Sequence, residues 1–306
     1  MGERETAIDE ATQGPDLVIS SLFTSINDPS NSSAKIGLAA GGGVGGNPLE
    51  HAPDEALYNY MRPWYESLHA HRGLKGLVLY DRLPQSFIER WRSPRVSFEA
   101  FHIGEPYAGA ASGMIQRMLA LRQFLDRRED VARVWFTDIN DVAFVMDPFR
   151  WMDRLGLGGQ WLFAGEEWST FEKSDWWKGS AKLFGGEYQS LFSERGRFAE
   201  MYLINAGVWG GHREVVLPFL EKFVHEIDLL LAAGLDLRSA SGSVADMYVM
   251  NLVAYRDFFD RLVSFKLHAQ MEKLVFEPGA FIRGAGNPTI HDRASALRVL
   301  EELIRT

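Results

Sequence analysis

The residue types best suited to chemistry are concentrated at one point of the chain, Phe136-Thr137-Asp138-Ile139-Asn140-Asp141-Val142, directly after an apolar run. Carboxylates this close in a water-poor cleft repel each other, and a bound cation is the natural way to keep both ionised. Asp138 and Asp141, with Asn140 between them, offer hard oxygen donors of the kind that suit Mg²⁺, Mn²⁺ or Ca²⁺. The same residue types are also favoured in turns and at helix N-caps, so on local chemistry alone both readings stand. An EF-hand loop does not fit, because its glycine and closing glutamate are missing at the required offsets.

Two further segments carry chemistry-bearing side chains. Glu166 and Glu167 follow an apolar run and precede Trp168, with Trp176 and Trp177 not far beyond. Adjacent residues of a strand face opposite ways, so at most one of the two acids points into a given cleft. The glycine-rich stretch Gly37 to Asn47 invites a phosphate-cradle reading. It matches neither the P-loop nor the dinucleotide fingerprint, since no Lys-Ser/Thr follows, and a mobile loop over residues 37–52 is the better expectation.

The elements that must position these residues alternate in type. Apolar, β-branched runs predict strands over Asp16 to Ile26, Gly76 to Asp81, Val96 to Ile103 and Ala132 to Asp138. Helical spacing predicts helices from Asp54 to His71, over the short run LPQSFIERW, and from Ser112 to Arg128. Strands alternating with helices imply an α/β fold with a mainly parallel central sheet covered by helices on both faces. Further on, Trp161 to Trp168 and Met201 to Gly211 read as strands, and the intervening segment up to Phe192 as an aromatic, charged loop. Glu214 to Ala233, Ser243 to Tyr255 and the closing Val299 to Ile304 read as helices. With no repeat and no linker, residues 16–306 are expected to form one domain behind a disordered leader, residues 1–15.

Bulk composition narrows the function classes. A chain of 306 residues, 46% hydrophobic, can bury a large core. A net charge of −9 argues against a nucleic-acid partner, which needs a basic surface, though a phosphorylated ligand requires only a local cation. The absence of cysteine removes disulfides, thiolate metal sites and thiol nucleophiles. A polar, acidic N-terminus and the lack of any apolar run near the roughly 20 residues of a membrane span lead to the expectation of a soluble, cytoplasmic protein.

Taken in order, the motifs resemble those of nucleotide-sugar glycosyltransferases of the GT-A fold. FTDINDVAFVMDP resembles their DxD segment, and YLINAGVWGG (Tyr202 to Gly211) resembles the Asn-Ala-Gly-Val strand of glycogenin-like retaining transferases. ADMYVMN (Ala245 to Asn251) resembles their Asp-Gln-x-x-x-Asn helix start, with Met247 where Gln is usual, and PTIHD (Pro288 to Asp292) stands where the family has a late metal-binding His. The likeness runs from about Asp16 to Asp292.

What the resemblance implies is a division of labour. Asp138, with Asn140 or Asp141, would hold a Mn²⁺ or Mg²⁺ ion, and neutral His291 would complete its shell. The metal would stabilise charge on the departing nucleoside diphosphate. Thr24 and Ser25 would meet the base and ribose, and Arg117 would face the donor. Asn205 would face the donor sugar, and Gly207 would permit its close approach. Asp246, at a helix start, would steady an oxocarbenium-like centre or act as nucleophile. One of Glu166 and Glu167 would bind acceptor hydroxyls or act as base, and Trp168, Trp176 and Trp177 would offer an acceptor sugar a stacking platform, the alternative for the tryptophans being core packing. The expected reaction is metal-dependent sugar transfer from a UDP- or GDP-sugar donor to a hydroxyl acceptor (a saccharide, small molecule or protein), the motif order favouring retention. The alternatives are a sugar nucleotidyltransferase and a non-catalytic carbohydrate-binding relative with a degenerate site.

Overall fold

The computed structural model describes residues 14–25, 49, 51–140, 142–144, 146–181, 184–193, 195–238, 245–266 and 281–283. The expected leader up to residue 13, the glycine run 37–47 and the closing helix 299–304 lie outside them.

A seven-stranded sheet forms the centre, built from β1 (Asp16–Leu22), β2 (Gly76–Tyr80), β3 (Val96–Ala100), β4 (Arg133–Thr137), β6 (Leu162–Thr170), β7 (Tyr202–His212) and β8 (Leu262–Lys266). Their spatial order is β3-β2-β1-β4-β7-β6-β8. The first four strands are mutually parallel, and β8 runs parallel to β6, but β7 is antiparallel to both β4 and β6. The sheet is therefore mixed, which corrects the expected mainly parallel arrangement. A separate two-stranded sheet pairs β5 (Val142–Phe144) with β9 (Phe281–Arg283), bringing residues 281–283 alongside the strand that follows Asn140.

Side-chain alternation along the strands divides the core in two. In β1, Leu17 and Ile19 join one apolar cluster and Val18 and Leu22 the other; β4 likewise sends Val134 and Phe136 one way and Trp135 the other. Helix α1 (Asp54–Ala70) covers the second face, with Leu57, Tyr60, Met61, Trp64 and Leu68 at helical spacing. Alongside it lie α2 (Gln85–Trp91) and, after the short α3 (Tyr107–Ala110) and α4 (Gly113–Arg127), α5 (Pro148–Leu155). Helix α5 starts on an Asp147 cap that accepts from the Phe149 and Arg150 amides at 2.9 and 3.2 Å, and stops at Gly156 with φ of 62°. The first face packs on α4, α8 (Arg213–Ala232) and α9 (Ala245–Asp257).

The segment expected as an aromatic loop contains two short helices, α6 (Asp175–Ala181) and α7 (Gly185–Phe192). Trp177 stacks on Tyr248 with ring centroids 4.2 Å apart, and Phe184 lies against Tyr248 at 4.1 Å. Burying each such ring contributes about 1.5–3 kcal/mol, enough to hold helices this short, which would not persist alone. Among the described residues no helix is long and apolar enough to cross a membrane.

Candidate functional site

Strand β4 delivers Asp138 to its place through a buried polar anchor one residue earlier. Thr137 is fully buried; its Oγ1 accepts from Trp64 Nε1 at 2.9 Å, and its carbonyl accepts from the Ser20 hydroxyl. Beyond it, the Asp138 amide donates to the Gly207 carbonyl at 2.7 Å. The Asp138 carboxylate lies so tightly over Gly207 that a Cβ at that position would overlap it. Ile139 is buried and Asn140 half-buried in the turn that follows.

Arg117 of α4 joins this carboxylate to a second one. Its guanidinium donates through Nη1 to Asp138 Oδ1 and through Nη2 to Asp246 Oδ2 at 3.0 Å, while Nε donates to the Met114 carbonyl at 3.1 Å. The guanidinium carbon sits 5.6 Å from the centre of the Phe136 ring, a cation–π contact. Asp246, in the first turn of α9, is fully buried, and its Oδ1 has no hydrogen-bond partner. Burial pushes its carboxyl up from the ordinary 3.8 to about 6, and the Asp138 charge adds to the rise; Arg117 and the Met247 amide pull the other way. The arrangement is a cation gripped by two acids, with one carboxylate oxygen left over in a dry site.

Asn205 and Gly207 owe their positions to an irregularity in β7. Between the pairs Ala164↔Trp209 and Glu166↔Ile204 the register advances two residues along β6 and five along β7. Residues 205–208 therefore bulge out of the β6 ladder, a device common beside active sites. The bulge is held from within: Asn205 Oδ1 accepts from the Gly207 amide at 2.7 Å, and Asn205 Nδ2 donates to Glu167. It is also held from α9, where Asn251 Oδ1 accepts from the Ile204 amide at 2.7 Å and Nδ2 donates to the Ile204 carbonyl at 2.9 Å. Asn251 thus stands in for the neighbouring strand that β4, ending at Thr137, does not supply. Glu166 turns the other way, accepting from Ser264 of β8.

Thr24 and Ser25 follow β1 and are clamped by an acid that the sequence reading passed over. Asp81, at the end of β2, accepts from the Thr24 amide at 2.8 Å and the Arg82 amide at 2.6 Å through Oδ1. Through Oδ2 it accepts from the Ser25 amide at 2.8 Å and the Ser25 hydroxyl at 2.5 Å. The signal was present, since Asp81 closes an apolar strand just as Asp138 does. Beside this clamp opens a cavity of about 710 Å³, lined among others by Ser25, Asp81, His102, Ile103, Gln116 and Arg238. Its position beyond the carboxyl ends of three parallel strands is where open α/β sheets bind ligands.

The structure thus brings Arg117, Asp138 and Asp246 into one ion-paired cluster, with Asn205, Gly207 and Glu167 beside it. Thr24 and Ser25 stand at the separate clamp on the β1 and β2 ends, and Glu166 is directed towards β8. Of the tryptophans, Trp177 is 1% exposed and belongs to the core, whereas Trp176 is 49% exposed. Asp141, His291 and the Trp168 side chain lie outside the described residues. Among the described residues no three acidic or histidine side chains converge as a metal site. Asp138 and Asn140 are hard oxygen donors and in type fit a divalent ion of the Mg²⁺ or Mn²⁺ kind. Comparison of the chain with known protein families and with curated protein sequences finds no match.

Proposed function

We propose that this chain is a metal-dependent glycosyltransferase that moves a sugar from a UDP- or GDP-sugar donor to a hydroxyl acceptor, with a GT-A type of architecture. The observation that carries the proposal is the Asp138–Arg117–Asp246 cluster at the carboxyl edge of the sheet, with Asn205 and Gly207 on the adjacent bulge. Two structural facts support it. The order β3-β2-β1-β4-β7-β6-β8 with a single reversed strand suits a nucleotide-binding half joined to an acceptor half. The β5–β9 pairing brings the late segment back beside the strand after Asn140, as a shared metal site would require.

In this reading Asp138, with Asn140 or Asp141 and with His291, would hold Mn²⁺ or Mg²⁺. When bound, the metal supplies Lewis-acid stabilisation for the leaving diphosphate. The chain's own residues do the rest. Arg117 fixes the Asp138 carboxylate and adds a positive charge near the diphosphate. Asn205 is oriented by the Gly207 amide and Glu167 so that the bulge presents a rigid surface to the donor sugar. Asp246, dry and paired on one oxygen only, is the group available to stabilise positive charge at an anomeric carbon. Glu167 and the exposed Trp176 are the acceptor-side candidates.

Isothermal titration with UDP and GDP, with and without Mn²⁺, tests the proposal. Binding that tightens at least about tenfold with metal supports it; no binding of either nucleotide, or no response to metal, overturns it.

A further inference from the structure

Gln116 stands on the wall of the 710 Å³ cavity, in the first turn of α4, and is only 1% exposed. Its amide nitrogen donates to the Ala111 carbonyl at 2.7 Å. A carbonyl oxygen can only accept, so this contact decides which way the amide is turned. Its Oε1 is left as an acceptor with no protein partner among the described residues.

The neighbouring acid cannot do the same work. All four lone-pair directions of Asp81 are taken by the Thr24, Ser25 and Arg82 amides and the Ser25 hydroxyl. The remaining walls divide by character. Phe101, Ile103 and Ala111 are buried and apolar, Arg82 brings positive charge, and Arg238 stands there ion-paired with Asp236 at 3.6 Å. A cavity that sets an oriented, unpartnered amide acceptor beside apolar side chains, with arginines at its wall, matches a nucleobase carrying a phosphorylated ribose. The next residue along α4, Arg117, grips Asp138 and Asp246, so one helical step separates the cavity from the acidic cluster.

We infer that Gln116 selects the base of the donor by accepting a hydrogen bond from its imino N–H. The inference rests on the glycosyltransferase reading and sharpens it. Uracil and guanine present an N–H at the pairing edge; cytosine and adenine present a bare nitrogen lone pair there, which repels Oε1. A site built around one buried polar group rejects the ligand that leaves the group unpaired.

The test titrates UDP, GDP, CDP and ADP into the protein in the presence of Mn²⁺, and then repeats the best binder methylated on its imino nitrogen. UDP or GDP is expected to bind at least about tenfold more tightly than CDP and ADP, and methylation to weaken binding by about tenfold or more. Gln116→Met, similar in volume but with no acceptor oxygen, is expected to level the ranking. Should that variant not fold, the methylated ligand on the native protein decides the matter alone. A methyl group without effect, or a ranking unchanged in Gln116→Met, overturns the inference while leaving the transferase reading intact; preference for CDP or ADP overturns the inference together with the choice of UDP or GDP as donor nucleotide. Failure of every nucleoside diphosphate to bind overturns both.

Discussion

Replacing Asp246 by Asn keeps the shape of the side chain and removes its charge, and the consequence should depend on pH in a defined way. The carboxyl is fully buried, with its folded value raised from 3.8 to about 6, chiefly by loss of solvation. Folding therefore favours the protonated form. No cost is felt below the unfolded value; it grows as pH rises from about 4 and is complete above about 6. Since each pH unit is worth about 1.4 kcal/mol, the full penalty is about 3 kcal/mol. Most of it develops between pH 4.5 and 7.5, about 2 kcal/mol. Asn carries no such penalty, and Arg117 keeps Asp138 as partner in the variant. Urea unfolding of both proteins across this range is the assay. The stability of the variant relative to the native protein should climb by about 2 kcal/mol with rising pH. A difference that stays flat, or that falls, would mean that Arg117 outweighs the loss of solvation and that the site is charged throughout.

Three further perturbations probe the same neighbourhood. Gly207→Ala inserts a methyl group into the Asp138 carboxylate; a loss of about 1–3 kcal/mol in thermal unfolding is expected, with nucleotide binding weakened because the carboxylate must shift. Asn251→Ala strands the buried amide and carbonyl of Ile204, which should cost about 2–4 kcal/mol by denaturant titration. Trp177→Ala should cost about 3–5 kcal/mol while Trp176→Ala leaves stability within about 0.5 kcal/mol, since the first ring is buried and the second half-exposed; equal effects would contradict the assignment of Trp177 alone to the core.

Six of the nine strands among the described residues were readable as short apolar runs, and the residue that closes the run in β4 is Asp138 itself; β5, β8 and β9, short or lying outside such runs, were not foreseen. The same grammar marks Asp81, yet a lone acid gives no hint that its donors come from a loop more than fifty residues earlier. The direction of β7 was hidden for a similar reason. Apolar, glycine-bearing strands such as LINAGVWGG look alike whether they run with or against their neighbours, and only long-range pairing decides. Helix α5 is announced by Asp147-Pro148 at its start and Gly156 at its end, but the Asp-Pro pair is also the close of the motif around Asp138. The segment 175–192 concealed its helices behind glycines; what holds it is a set of ring contacts to Tyr248, which local spacing does not reveal. Gln116 was invisible in the sequence, since only its contact with the Ala111 carbonyl turns an ordinary helical glutamine into an oriented acceptor.

Asn251 and Asp246 ride on one helix, and Asn251 is bolted to the backbone of Ile204, next in the chain to Asn205. The acid near the cluster and the amide on the bulge are therefore mechanically yoked: any tilt of α9 carries both in the same direction and by a similar amount. Substitutions at the far end of α9, around Tyr255 or Phe258, would thus shift the two groups together and load their links to Asp138 through Arg117 and Gly207, while Thr137, held by Trp64 of α1 and Ser20 of β1, keeps the end of β4 in place.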